Sequence, residues 1–231
     1  MTPTDLVARF RLDVDDDQTP YLWSDDEVWG YLNDAIQKWL GTPGGGVRDA
    51  STTSIVNLTV TSGDAWLELS PLITKIRSAR LASTGRTLPI ISFEELFGMD
   101  GMANSQFPVS TDDFDLTGPI KALVIGMEDN KLRTVRIPAA NDTVKLVVER
   151  LSINTHAAAD NPQKTIEVDS QYHLDLLFGM KALAYRKQDA DTFDKTKADE
   201  AEAQFVARAA KAALDKARRE HKPRLMVYGG L

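Results

Sequence analysis

Two periodicities divide this chain, and they constrain its fold more than any single motif. Apolar residues recur at helical spacing near both ends, while the middle alternates with the two-residue period of strands. Near the N-terminus, Leu6, Val7 and Phe10, with Leu12 or Val14, mark a short helix capped by Thr2 or Thr4. A second helix covers about 24–40, where Val28, Leu32, Ala35, Ile36 and Trp39 share a face, and it stops at "GTPGGG". Helix returns at "DSQYHLDLLFGMKALAYRKQ", capped by Asp169 or Ser170, with Leu174, Leu177, Phe178 and Leu183 as its apolar face. A long, charged, alanine-rich helix follows, and its thin stripe is Ala198, Ala201, Phe205, Ala209 and Ala212. Such small residues let two helix backbones approach closely.

Between these ends, "STTSIVNLTVT" and "AWLELS" read as strands around the turn "SGD". "ITKIRSARLAS" continues as a strand, and "TGRTLPIISFEELFGM" as a hairpin with one helical turn. "KALVIGMEDNKLRTVRIP" reads as a hairpin around "EDNK", and "DTVKLVVERLSI" as a further strand. The terminal helices each lack partners nearby in sequence. The expected fold is therefore α+β: a helical bundle formed by the N- and C-terminal helices, with an inserted antiparallel β-domain and an extended C-terminal tail. The expected boundaries are 1–45 for the first helices and 46–165 for the β-domain, a small sandwich or barrel-like sheet with a long loop near 98–118. The second helices take 166–221 and the tail 222–231.

The run "DVDDDQTPYLWSDDE" holds seven carboxylates in fifteen positions. Asp13, Asp15 and Asp17 alternate as the first ligands of a calcium loop do, but Gln18 and Ser24 stand where that loop needs glycine and glutamate. The second half instead carries a helix start. Ser24 and Glu27 have the spacing of a capping box, Trp23 and Val28 that of a hydrophobic staple, and Asp25 and Asp26 suit the positive end of the helix dipole.

With 231 residues and 42% hydrophobic content, one or two cored domains are expected. The net charge of −7 argues against nucleic-acid binding through the whole surface. The charge is unevenly spread: residues 1–30 hold eight acids against Arg9 and Arg11, and residues 195–224 hold nine bases against five acids. Opposite signs at opposite ends suit a protein that meets copies or partners in a fixed order, although solvated helix faces give the same count. The chain has no cysteine, so disulfides and thiolate chemistry are excluded. It shows neither an apolar run of membrane length nor a secretory signal, so a soluble protein of a reducing compartment, without membrane contact, is expected.

Catalytic constellations fail one by one. His156, His173 and His221 stand apart from any partner at metal-ligand spacing, and His173, beside Tyr172, fits a structural histidine. The phosphate-cradling, nucleophile-elbow and zinc-protease motifs do not occur, and "GTPGGG" lacks the lysine that follows a phosphate loop. The pairs Glu94/Glu95 and Asp112/Asp113 have no second group to set their pKa values apart. Trp23, Trp29, Trp39 and Tyr31 have the spacing of a core. No enzyme, cofactor or metal site is expected.

"LVARFRLDVDDD…PYLWSDDEVWGYLNDAIQKWL" resembles the start of tailed-bacteriophage head-to-tail adaptor (connector, or neck ring) proteins. "IEVDSQYHLDLLFGMKALAYRKQDADTFD" and the paired strands of "LTGPIKALVIGMEDNKLRTVRIPAANDTVKLVVERL" resemble the same family, from about residue 4 to about 210. The resemblance implies a structural virion protein of the neck, assembled in the host cytoplasm. It further implies a homo-oligomeric ring of twelve copies below the portal protein. The packaged DNA would pass through the ring without sequence-specific contact, and a tail-side neck or tail protein would lie beyond it. The C-terminal tail would reach the portal.

The tail has its own logic. Leu225, Met226, Val227 and Tyr228 form a short apolar run between Pro223 and Gly229-Gly230, too short to stabilise itself but suited to adding a strand to a partner. The expected portal-docking residues are Arg218, Arg219, Lys222, Pro223, Arg224, Leu225, Met226, Val227, Tyr228 and Leu231. The alternative is a nucleic-acid-binding module using the basic C-terminal helix, but Asp199, Glu200, Glu202, Asp215 and Glu220 interrupt its bases.

Overall fold

A computed structural model describes residues 1–96, 111–159, 164–188 and 192–220. The tail 222–231 and most of the 98–118 loop lie outside the described residues. The helices are α1 (Pro3–Asp13), α2 (Asp25–Gly41), the single turns α3 (Thr53–Val56) and α4 (Phe93–Leu96), then α5 (Leu176–Arg186) and α6 (Lys195–Glu220). The chain is α+β, with helices at both ends flanking a β region, and it divides into two compact units. One joins Met1–Val47 to Leu151–Leu231, and the other is Arg48–Arg150.

The helical unit is built from both ends of the chain. Thr2 caps α1 in a capping box with Asp5, and Ser24 caps α2 in the same way with Glu27. The Ser24 amide donates to Glu27 Oε2 at 2.9 Å, and the Glu27 amide returns to Ser24 Oγ at 3.4 Å. Asp194 starts α6 by accepting from the Lys197 amide at 3.0 Å. Aromatic rings fill the core between the helices. Trp23 packs edge-on against Phe10 and Tyr185, and Trp39 against Phe205 with ring centres 5.6 Å apart. Such pairs add to their area burial.

The stripe Ala198, Ala201, Phe205, Ala209, Ala212 is buried throughout its length. Its partner is Gly179 of α5. A Cβ at Gly179 would come within 2.7 Å of the Phe205 ring and 3.0 Å of Ala35, so only glycine admits the ring there. The face of α5 differs from its sequence pattern. Residues Ser170–Asp175 form a 3₁₀ turn before α5 starts, which changes the phase; Leu174 is exposed, and Leu176, Leu177, Met180 and Ala184 are buried.

The strands are β1 (Val47–Asp49), β2 (Asn57–Val60), β3 (Trp66–Glu68), β4 (Ile73–Leu81), β5 (Thr87–Leu88), β6 (Ile90–Ser92), β7 (Thr117–Gly118), β8 (Leu123–Ile125), β9 (Lys131–Thr134), β10 (Ile137–Pro138) and β11 (Asp142–Arg150). One sheet runs β1-β11-β4-β5, with β2 also on β11, and a second runs β3-β9-β8-β6. Most of the pairs given in register are antiparallel, but β6 lies parallel to β8 and β7 parallel to β10. Leu58, Val60, Leu67, Val144, Leu146 and Val148 fill the main core of this unit. Only Asn57–Val60 of "STTSIVNLTVT" is strand: Thr53–Val56 curls into a helical turn, and Asp49 accepts from the Thr52 amide just before it.

Candidate interaction surfaces

Buried charges fix the shape of both units before any surface is presented. From the last turn of α1, Arg11 donates to Asp16 Oδ2 at 2.5 Å, to Asp25 Oδ1 at 2.7 Å and to the Trp23 carbonyl at 3.2 Å. Asp16 also accepts from the Leu22 amide at 2.6 Å. This network folds the acidic stretch back on itself, and Asp15 makes the reversal with φ 55°, a conformation aspartate tolerates. Asp13, one of the alternating carboxylates, pairs with Arg9 at 3.1 Å and Lys181 at 3.0 Å. In the β unit, Arg150 Nε donates to Asp49 Oδ2 at 2.6 Å, while the Ser51 and Thr52 amides donate to Oδ1. Burial pushes the Asp49 carboxyl up, but the Thr52 hydroxyl, Arg150 and the two amides together outweigh it and hold it far below the usual carboxylate range. Asp113 is buried and accepts from Lys121 at 2.9 Å and Arg136 at 3.1 Å. The sequence offered no sign of these partners, which lie far along the chain or across a turn.

His173 is buried in the helical unit, with Nε2 at 2.9 Å from the Val168 carbonyl and Nδ1 at 3.1 Å from the Met1 carbonyl. It lines a cavity of about 310 Å³ with Met1, Pro3, Thr165, Ile166 and Ser170. Both ring nitrogens face backbone carbonyls, so the imidazole ties the N-terminus to the start of the 3₁₀ turn. No group of His, Asp and Glu among the described residues could hold a metal ion, and no described helix is long and apolar enough to cross a membrane.

What remains is surface. At the C-terminal end of α6, Arg218 and Arg219 are exposed. Arg218 reaches Asp215 at 3.5 Å and Arg219 reaches Asp169 at 3.4 Å. Arg208, further back, pairs with Asp175 at 2.6 Å. The bases of this helix therefore alternate with carboxylates in space as well as in sequence, a poor footprint for a phosphate backbone. Lys222, Pro223, Arg224, Leu225, Met226, Val227, Tyr228 and Leu231 lie outside the described residues. At the opposite charge extreme, Ser24 and Glu27 set the start of α2, and Lys187 pairs with Glu27 at 2.8 Å. That contact, with the Ser24 amide behind it, holds the Glu27 carboxyl below its usual range.

The class of protein comes from comparison with known families. Residues 1–227 match the model of the SU10 adaptor protein family, and the chain belongs to that family. No curated protein matches it. It is a tailed-bacteriophage head-to-tail adaptor, a structural component of the virion.

Proposed function

We propose that this adaptor forms a ring of twelve copies that docks under the portal and extends the DNA channel toward the tail. The ring lies in the neck, is assembled in the host cytoplasm, and meets a neck or tail protein on its far side. Packaged DNA passes through without sequence-specific contact. The observation that carries the docking is the end of α6. The helix runs unbroken to Glu220 with Arg218 and Arg219 exposed, and the sequence continues directly as "HKPRLMVYGGL". Basic residues leading into a short apolar run suit a segment that meets an acidic rim and then fills a groove or adds a strand.

Truncation after Arg219 tests this. The shortened chain should give the circular dichroism spectrum of the full chain, because the last core position of the helical unit among the described residues is Ala212. It should fail to join DNA-filled heads or to bind purified portal. Docking with undiminished affinity would mean that the tail is not the portal contact.

A further inference from the structure

Two exposed apolar faces lie on opposite sides of the helical unit. On α6, Ala203, Val206, Ala207, Ala210, Leu214 and Ala217 are all exposed. At about 100° per residue they fall within an arc of about 100°, turned away from the buried Phe205 stripe. No charged residue enters that arc between 203 and 217. Exposed alanine alone says little, since alanine is the best helix former. Val206 and Leu214 say more: they are 51% and 60% exposed on a helix whose remaining outward positions are polar or charged. Lys211 and Arg218 border this face.

The second face belongs to α1 and the loop after it. Leu12, Tyr21 and Leu22 are 55%, 41% and 47% exposed there, beside the exposed Asp15 and Asp17. Helix α5 separates the two faces. Its Gly179 lies under Phe205 of α6, and its Lys181 reaches Asp13 of α1. Two residues apart, these positions lie about 200° from each other around the helix, on nearly opposite faces.

We infer that the α6 face of one copy packs on the Leu12, Tyr21 and Leu22 face of the next copy. The partner is a second copy because the same chain supplies a matching apolar face bordered by the opposite charge. The basic border of α6 then meets the acidic border of the α1 loop. A contact between two different faces on opposite sides of one unit is heterologous, and such contacts close into rings when the rotation permits. The inference rests on the ring proposed above and deepens it by assigning the contact between neighbours.

The chain has no cysteine, so introduced ones report cleanly. Leu214→Cys and Leu22→Cys would be made as two separate full-length variants and supplied singly and together to portal-bearing heads that lack the adaptor. Rings would be imaged, and disulfides read on non-reducing gels after mild oxidation. The expected result is a disulfide-linked dimer from the mixture and none from either variant alone. A dimer from Leu214→Cys alone would mean that two α6 helices pack face to face, which overturns the inference. Rings without any mixed dimer would overturn it while leaving the ring intact. Heads that bind the chain without forming rings would sink the ring and this contact together. Independently, Leu214→Asp should lower incorporation into heads at least tenfold with an unchanged circular dichroism spectrum, and Lys211→Glu should be partly rescued by Asp17→Lys. Full incorporation of Leu214→Asp would place the contact elsewhere.

Discussion

The two units solve the same problem with different chemistry. The helical unit is held by large apolar rings and a close helix crossing: Trp23, Trp39, Phe10 and Phe205 are buried, and Gly179 admits the last of them. The β unit has smaller core side chains and sets buried charge pairs against its sheet, whereas the helical unit's buried pair, Arg11 with Asp16, ties down the loop after α1. Asp49 with Arg150 is the most enclosed of these, and Glu149, next to Arg150 on β11, takes Arg77 of the neighbouring β4. A helix can bury one stripe and leave its backbone satisfied. Short strands split among three sheets leave turns and strand ends whose amides need other acceptors, and Asp49 supplies one for Ser51 and Thr52. The helical unit should therefore be sensitive to lost volume, and the β unit to lost charge.

The largest expected effect is on the helical side. Phe205→Ala empties the space between Gly179, Ala35 and Trp39 and should cost about 4 kcal/mol. Hydrogen exchange should rise across 1–47 and 151–220 much more than across 48–150. Equal loss of protection in both would show that the units unfold as one, and the contrast between them would collapse.

Next comes the β side. Arg150→Met removes one partner of a buried pair and leaves Asp49 without its cation, at a cost of about 3 kcal/mol. The pH dependence supplies the sharper test. The folded Asp49 carboxyl is held below its unfolded value of about 4. Its contribution is therefore fully present above that value and is lost as pH falls toward the folded one. Melting of residues 48–150 followed between pH 7 and 3 should show an acid-dependent loss that flattens in Arg150→Met. An identical acid profile in both would mean that other carboxylates set it.

The same contrast explains what could be read from the sequence. The stripe of α6 and the start of α2 depend on neighbours within a few residues, so spacing alone placed Ala198, Phe205, Ala212, Ser24 and Glu27. The alternation in β4 and β11 was legible for the same reason. Misplaced features depended on distant partners or on a change of helix type. Leu174 falls on the apolar face of its helix only if one uniform period runs through a segment that in fact begins as 3₁₀. Strands β5 and β6 look like one hairpin, yet they join different sheets, β5 beside β4 and β6 parallel to β8. Only pairing across the chain decides that. The ion pair of Asp49 and Arg150 spans a hundred positions, and nothing near either residue announces it. On the surface, the apolar outward face of α6 was visible only once the buried face was known, because alanine occupies both.

The smallest expected effect concerns a feature that the units do not share. Both long helices of the N-terminal segment start with a reciprocal cap, whereas the single turn α3 in the β unit has no side-chain cap at Thr52. Ser24→Ala removes the acceptor for the Glu27 amide and should cost about 1 kcal/mol. The Ser24 amide would still donate to Glu27, whose carboxylate Lys187 also holds, so the first turn should loosen without unfolding. Exchange at residues 25–28 should quicken while the core positions Leu32 and Ile36 keep their protection. In the β unit, Thr52→Ala should act through Asp49 and not through a helix cap: it removes the hydroxyl that helps hold that carboxyl low, while the Thr52 amide still donates to Oδ1 at 3.0 Å. If Ser24→Ala left both the melting temperature and the exchange of that turn unchanged, the staple of Trp23 and Val28 would be holding the start of α2 without help from the cap.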